Sequence, residues 1–185
     1  VSYRLTGSLD GARLQAALAA VAARHPVLRT IYSVDDAGEP HPVIAEVTPG
    51  FATHDLSDLA EQARALRLEV LAQREFGTPF RLDSDAPLRL TLVRVASGVR
   101  ILLLVAHHIA WDDDSWAVFF ADLTAAYADP EQFATRPPVP HPAAPAGSGH
   151  EAELTYWRTL LADPPDPLEL PGQHGSAIPS TLRAG

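Results

Sequence analysis

An α/β domain with a mixed sheet flanked by helices is what this 185-residue sequence predicts, on three observations. Ile101 to Ala106 is an uninterrupted apolar run rich in Ile, Leu and Val, which fits a strand covered on both faces, with a buried helix as the alternative that periodicity alone leaves open. Leu88, Leu90 and Leu92 alternate with Arg89, Thr91 and Val93, which is the period of a half-buried strand. Around these lie stretches with apolar residues at helical spacing, such as Leu14, Leu18 and Val21, and strands interleaved with helices build layered α/β architectures.

Taken in order, Val1 to Leu5 predicts a strand that ends at Gly7. Asp10 is an N-cap for a helix from Gly11 to about Arg24, and Pro26 forces the exit by pushing His25 out of the α region. Val27 to Val34 and Pro42 to Val47 predict two strands joined by the turn Asp35-Asp36-Ala37-Gly38. Ser57 or Asp58 caps a second helix reaching about Glu75, with Leu59, Ala63, Leu66 and Val70 as its buried stripe. Ser97-Gly98 turns the chain into the apolar run. Ser115 caps a third helix ending near Tyr127. The prolines at 130, 137, 138, 140, 142 and 145 make 129–149 an extended linker, and Glu151 to Leu161 predicts a last short helix. From Asp163 to Gly185 the chain is Pro/Gly-rich, with too little apolar content to fold alone.

Composition narrows the function classes. A hydrophobic fraction of 46% is enough for a real core. Fourteen basic against 23 acidic residues give a net charge of −9 with no basic cluster, which argues against nucleic acid and anionic membrane as partners. Every basic residue is Arg, and the absence of Lys and Cys removes lysine and thiol nucleophiles, thiolate metal sites and disulfides. No signal-peptide pattern opens the chain and no apolar run reaches membrane-spanning length, so a cytoplasmic protein is expected. The start at Val1 without Met suggests a fragment of something longer.

The chemistry concentrates between Arg100 and Trp116, RILLLVAHHIAWDDDSW. Adjacent strand residues point to opposite faces, so His107 and His108 have different surroundings, one packed and one open to a cleft. Asp112 follows the strand end, where a turn brings it back towards the imidazoles. His108 suits a general base or a transition-state stabiliser, since an unperturbed imidazole titrates near ~6.5; the alternative is a satisfied, partly buried histidine. A metal site is disfavoured because adjacent strand histidines diverge and no other His stands at ligand spacing. His41, His54, His141, His150 and His174 are expected in solvated loops. Asp113 and Asp114 put charge at a helix N-terminus. Ser115 is a cap before it is a nucleophile, for no Gly-x-Ser-x-Gly elbow surrounds it.

His107-His108-Ile109-Ala110-Trp111-Asp112 resembles the HHxxxDG signature of condensation domains in nonribosomal peptide synthetases, with Ser115 in the family's serine place. Arg24-His25-Pro26-Val27-Leu28-Arg29-Thr30 resembles the family's RHxxLRT segment, preceded by Leu9-Asp10. Pro87-Leu88-Arg89-Leu90 resembles the approach to the central hairpin, and Tyr156-Trp157-Arg158 with Leu168-Glu169-Leu170-Pro171 the bridge to a second lobe. Two departures stand out. Asp113 occupies the place of the motif glycine, which alters the loop if that glycine needs positive φ. The family's extreme N-terminal motif and its C-terminal lobe are absent.

The resemblance implies a chloramphenicol-acetyltransferase-like lobe over 1–128, the linker 129–149, and a bridging helix and segment over 150–185 leading to the C-terminal lobe. It implies donor and acceptor carrier proteins as partners, with substrates tethered to their 4′-phosphopantetheine and no cofactor bound directly. The acceptor amine attacks the donor thioester carbonyl. His108 would be the catalytic residue; His107, Asp112 and Arg29 would be structural, Arg29 as the ion-pair partner of Asp112. Asp113, Ser115 and Trp111 would line the channel. The lobe alone would be inactive, and its open inner face would favour a homodimer. Two alternatives are an inactive docking platform for a carrier protein or tailoring enzyme, and a CoA-dependent acyltransferase with the shorter HxxxD pattern.

Overall fold

Asp10 does what its sequence position predicts. Its Oδ1 accepts the Ala12 and Arg13 N–H groups at 2.9 and 3.1 Å, and the helix it opens ends at Arg24, one residue before the His25-Pro26 pair. The computed structural model describes residues 1–141 and 150–163. In chain order its elements are β1 (Ser2–Thr6), α1 (Gly11–Arg24), a 3₁₀ turn (Pro26–Arg29), β2 (Thr30–Val34), β3 (Pro40–Ile44), β4 (Gly50–Asp55), α2 (Glu61–Gly77), β5 (Leu88–Ala96), β6 (Val99–Ala106), α3 (Ser115–Ala128), α4 (Pro130–Ala134) and α5 (His150–Leu160). The chain divides into two units, 1–142 and 143–185, and α5 belongs to the second.

One four-stranded sheet runs in the order β1-β6-β5-β4, and β2-β3 form a separate ribbon. β4 pairs parallel to β5 while β5-β6 and β1-β6 are antiparallel, so the sheet is mixed, as expected. The apolar run is the interior strand β6, and its neighbour β5 is buried on both faces rather than one. Leu88, Leu90, Leu92, Leu102 and Leu104 pack under α1 and α3. Val93, Val95 and Leu103 pack on the opposite face with Leu71 of α2. Helices cover both faces, so a strand between them has no solvated side to fill with polar residues.

Four local expectations give way to stronger forces. Val27 to Arg29 is not strand: Pro26, with its φ preset, opens a 3₁₀ turn in which the Leu28 N–H reaches the His25 carbonyl at 2.9 Å. β4 was not expected, because its mixed polarity hides a strand held chiefly by backbone pairing. α2 begins at Glu61, since Ser57 instead bonds back to Asp55 (N 2.9 Å, Oγ 2.6 Å) and Ala60 offers no side-chain cap. The helix also buries a different stripe. Leu68, Leu71 and Ala72 face the sheet, while Leu59, Leu66 and Val70 are 40, 64 and 46% exposed. Ser115 is the first residue of α3 rather than its cap.

The segment read as an extended linker carries α4 at its start. Asp129 caps it through the Gln132 N–H at 3.0 Å, Phe133 is buried, and the Val139 N–H reaches the Arg24 carbonyl at 2.8 Å. His41 and His54 lie in strands rather than loops, and His141 is half-buried. Leu168 to Pro171, His174 and the rest of the tail lie outside the described residues.

Candidate active site

The β5-β6 ladder runs one residue past the end of β6: the His107 N–H donates to the Pro87 carbonyl at 2.9 Å. A turn follows, with the Ala110 N–H on the His107 carbonyl at 3.1 Å. His107 is half-buried. Its Nδ1 accepts the Ile109 N–H at 3.1 Å, and its ring meets Phe80 edge-on at 6.0 Å. Phe80 in turn carries the Arg89 guanidinium at 4.2 Å from its centroid. His108 is exposed and makes no hydrogen bond within the described residues. The strand end therefore gives its two imidazoles the unequal surroundings that the alternation predicts.

Asp112 is tied into the start of α3. Its Oδ1 accepts the Ser115 N–H at 3.0 Å and the Ser115 hydroxyl at 2.6 Å, while Ser115 Oγ accepts the Asp112 N–H at 3.1 Å. The Ser115 hydroxyl is the main cause that holds the Asp112 carboxyl below the usual carboxylate range, helped by the Ser115 N–H and, more weakly, by the charge of His108. The predicted partner is not there. Arg29 turns instead to backbone, its Nε donating to the Ala22 carbonyl at 3.0 Å and its Nη1 to the Ala45 carbonyl at 3.4 Å, with Glu46 3.8 Å away. Carbonyls at the end of α1 have no intrahelical partner, and a nearby guanidinium satisfies them.

Asp113 fits the turn without strain. Positive φ among the described residues occurs only at Gly7, Gly38 and Gly98, so the loop needs no glycine at 113. Two cavities of about 220 Å³ each flank the turn. One brings together His108, Asp112, Asp113 and Trp116. The other is mostly apolar, lined by Val27, Leu28, Val118 and Phe119 together with His25, Asp114 and Ser115. Trp111 and Asp112 line both. The Trp111 ring is buried, 4.8 Å from Trp116 and 5.1 Å from Phe119, and its Nε1 has no hydrogen-bond partner among the described residues. Of the predicted residues, the turn thus gathers His107, His108, Trp111, Asp112, Asp113 and Ser115, and leaves Arg29 apart.

One cluster escaped the sequence. Asp122 of α3 is 6% exposed and accepts from Arg24 Nη1 at 2.5 Å, His25 Nε2 at 2.6 Å and Arg136 Nη1 at 3.0 Å. It locks α1, α3 and the segment after α4 together beside the apolar cavity. A lone acid within the apolar run Trp116 to Tyr127 was its signal, since buried carboxylates require partners. No group of three or more metal-ligating side chains gathers among the described residues, and no helix there is long and apolar enough to cross a membrane.

Residues 1–184 match the family of condensation domains. The chain belongs to that family. The condensation domain is 35% identical to the isonitrile lipopeptide synthase of Mycobacterium tuberculosis over an alignment of 189 positions that covers 92% of this chain and 7% of that protein. Among solved structures, it resembles the X-domain from teicoplanin biosynthesis in its complex with OxyB. The identity is 34% and the TM-score 0.63, over 95% of this chain and 40% of the other. The starter condensation domain of rhizomide synthetase RzmA shares the fold at a TM-score of 0.67 and 18% identity, over 90% of this chain and 42% of the other. The chloramphenicol-acetyltransferase-like fold expected from the sequence is thus borne out, and the chain spans less than half of the solved domains it matches.

Proposed function

We propose that this condensation domain contributes the His108 half of a site that joins two carrier-bound thioesters in a nonribosomal peptide synthetase. The amine of an acceptor aminoacyl thioester attacks the donor thioester carbonyl. A carbon–nitrogen bond forms, the donor phosphopantetheine sulfur leaves, and the amine gives up a proton. One observation carries the proposal: His108 has a free imidazole on a cavity beside an ionised carboxylate, whereas the His107 Nδ1 is already engaged. His108 would orient the amine, take its proton or stabilise the tetrahedral species. His107 and Asp112 would hold the turn. Donor and acceptor carrier proteins and a C-terminal lobe would complete the assembly, in the cytoplasm.

The test is a condensation assay on the synthetase that carries this chain, with loaded donor and acceptor carriers, comparing wild type, His108→Ala and Asp113→Gly. Amide product that falls by about 10²-fold or more in His108→Ala supports a proton-transfer role. A smaller loss supports positioning.

A second reading is favoured by Asp113 in the glycine place together with the likeness to the teicoplanin X-domain, which was solved with OxyB bound. There the domain would be a docking platform for a tailoring enzyme or carrier protein. Wild type that binds loaded carriers and yields no amide would establish it, and product regained in Asp113→Gly would identify the residue responsible.

A further inference from the structure

We infer that Trp111 determines how large an apolar side chain the His108 cavity accepts, because its ring is the wall between that cavity and a second, apolar one. The inference rests on the condensation reading and names a specificity residue within it. Trp111 and Asp112 are the residues common to both cavities, and only Trp111 is buried. Its ring is wedged edge-to-face between Trp116, which lines the first cavity, and Phe119, which lines the second. The first cavity has polar groups (His108, Asp112 and Asp113) that suit an amine, and an apolar lining in which the Trp111 indole stands with Trp116, Leu104, Val105, Ala106 and Val1. The second has Val27, Leu28, Val118 and Phe119. An acceptor whose amine lies at His108 would place its side chain against this apolar lining, of which the indole is the part shared with the second cavity.

Size fixes the expectation. An apolar cavity of about 150 Å³ holds one benzene ring. At about 220 Å³ the first cavity holds a single-ring side chain, and only removal of the wall opens the second 220 Å³ to a bicyclic one. The indole Nε1 has no partner, so Trp111→Phe sacrifices volume and no hydrogen bond. Val118 is 53% exposed and lines the second cavity, where a larger side chain fills it without disturbing the core.

The experiment uses the synthetase that carries this chain, with alanyl, phenylalanyl and naphthylalanyl thioesters of N-acetylcysteamine as acceptors. Wild type is compared with Trp111→Phe, Trp111→Leu and Trp111→Leu/Val118→Trp. The expected result is a rise of about tenfold or more in kcat/KM for naphthylalanyl over alanyl in Trp111→Leu, a smaller rise in Trp111→Phe, and reversal by Val118→Trp. An unchanged ratio in Trp111→Phe, or in a Trp111→Leu protein with a cooperative melt, overturns it. So does a gain confined to the same series offered as donors. Calorimetric binding of the same acceptors in a His108→Ala background reads the ratio without turnover. Loss of amide with the size shift intact would therefore count against condensation and not against Trp111.

Discussion

Ser115 holds Asp112 by both its hydroxyl and its N–H, 2.6 and 3.0 Å from one carboxylate oxygen. The acid that follows the paired histidines is thereby locked to the first residue of α3, and no arginine among the described residues takes part.

Ser115→Ala removes the largest cause of the lowered Asp112 pKa. A folded-state pKa below the unfolded value adds stability at pH above the unfolded value, about 3.9, and that stability is lost as pH falls through the folded value. The variant should therefore show its Asp112 carboxyl titrating closer to 3.8, and its acid unfolding should begin at higher pH. Carbon-13 carboxyl shifts followed by NMR check the first expectation and a circular-dichroism acid titration the second. Identical titrations in wild type and variant would sink the assignment.

Asp122→Ala strips Arg24, Arg136 and His25 of the buried carboxylate they share. Removing one side of a buried charge pair costs about 3–5 kcal/mol. At roughly 2–4 °C per kcal/mol for a domain of this size, a melting temperature lowered by roughly 10 °C is expected. A drop of a degree or two would mean that solvent satisfies Arg24 and His25.

Asp113→Gly tests what the departure from the motif means. Asp113 sits at negative φ, so glycine relieves no strain and only widens the unfolded ensemble. Stability should fall by about 0.4–1 kcal/mol in a denaturant titration. A stabilised variant would show that the aspartate is strained after all.

On α2 the exposed and buried stripes should part company. Leu66→Ser, at 64% exposure, is expected to change stability by less than about 0.5 kcal/mol, and Leu71→Ala, at 4%, to cost about 2–5 kcal/mol. A larger loss for Leu66→Ser than for Leu71→Ala in thermal melts would put the helix in the register that its sequence first suggested.

What could be read in the chain was what neighbouring residues decide. Asp10, the His25-Pro26 exit, the turns at Gly38 and Gly98 and the apolar run of β6 are local signals, and each lies where it was expected. That a turn follows His107 was legible for the same reason, but its bonds, Ile109 to His107 and Ser115 to Asp112, were not foreseen. Distant partners were not. Asp122 meets Arg24 across 98 positions, and no spacing rule reaches that far. α2 carries two apolar ridges, and only the sheet beneath it selects between them. β4 rests on pairing with β5, which leaves little trace in its side chains. Arg29 had carbonyls within reach, and these won over a remote carboxylate.

The pairing of β1 with β6 has a consequence for biosynthesis. Val1 and Leu104 exchange backbone hydrogen bonds across 103 positions. At roughly 5–20 residues per second, a ribosome takes on the order of 5–20 s to deliver the interior strand after the edge strand has emerged. Throughout that interval α1 has no sheet to cover, and its leucines are open to chaperones or to another nascent chain. Contacts this far apart also form slowly once the chain is free. Expression at lowered temperature, or with a holding chaperone, should raise the yield of native protein more than any surface substitution.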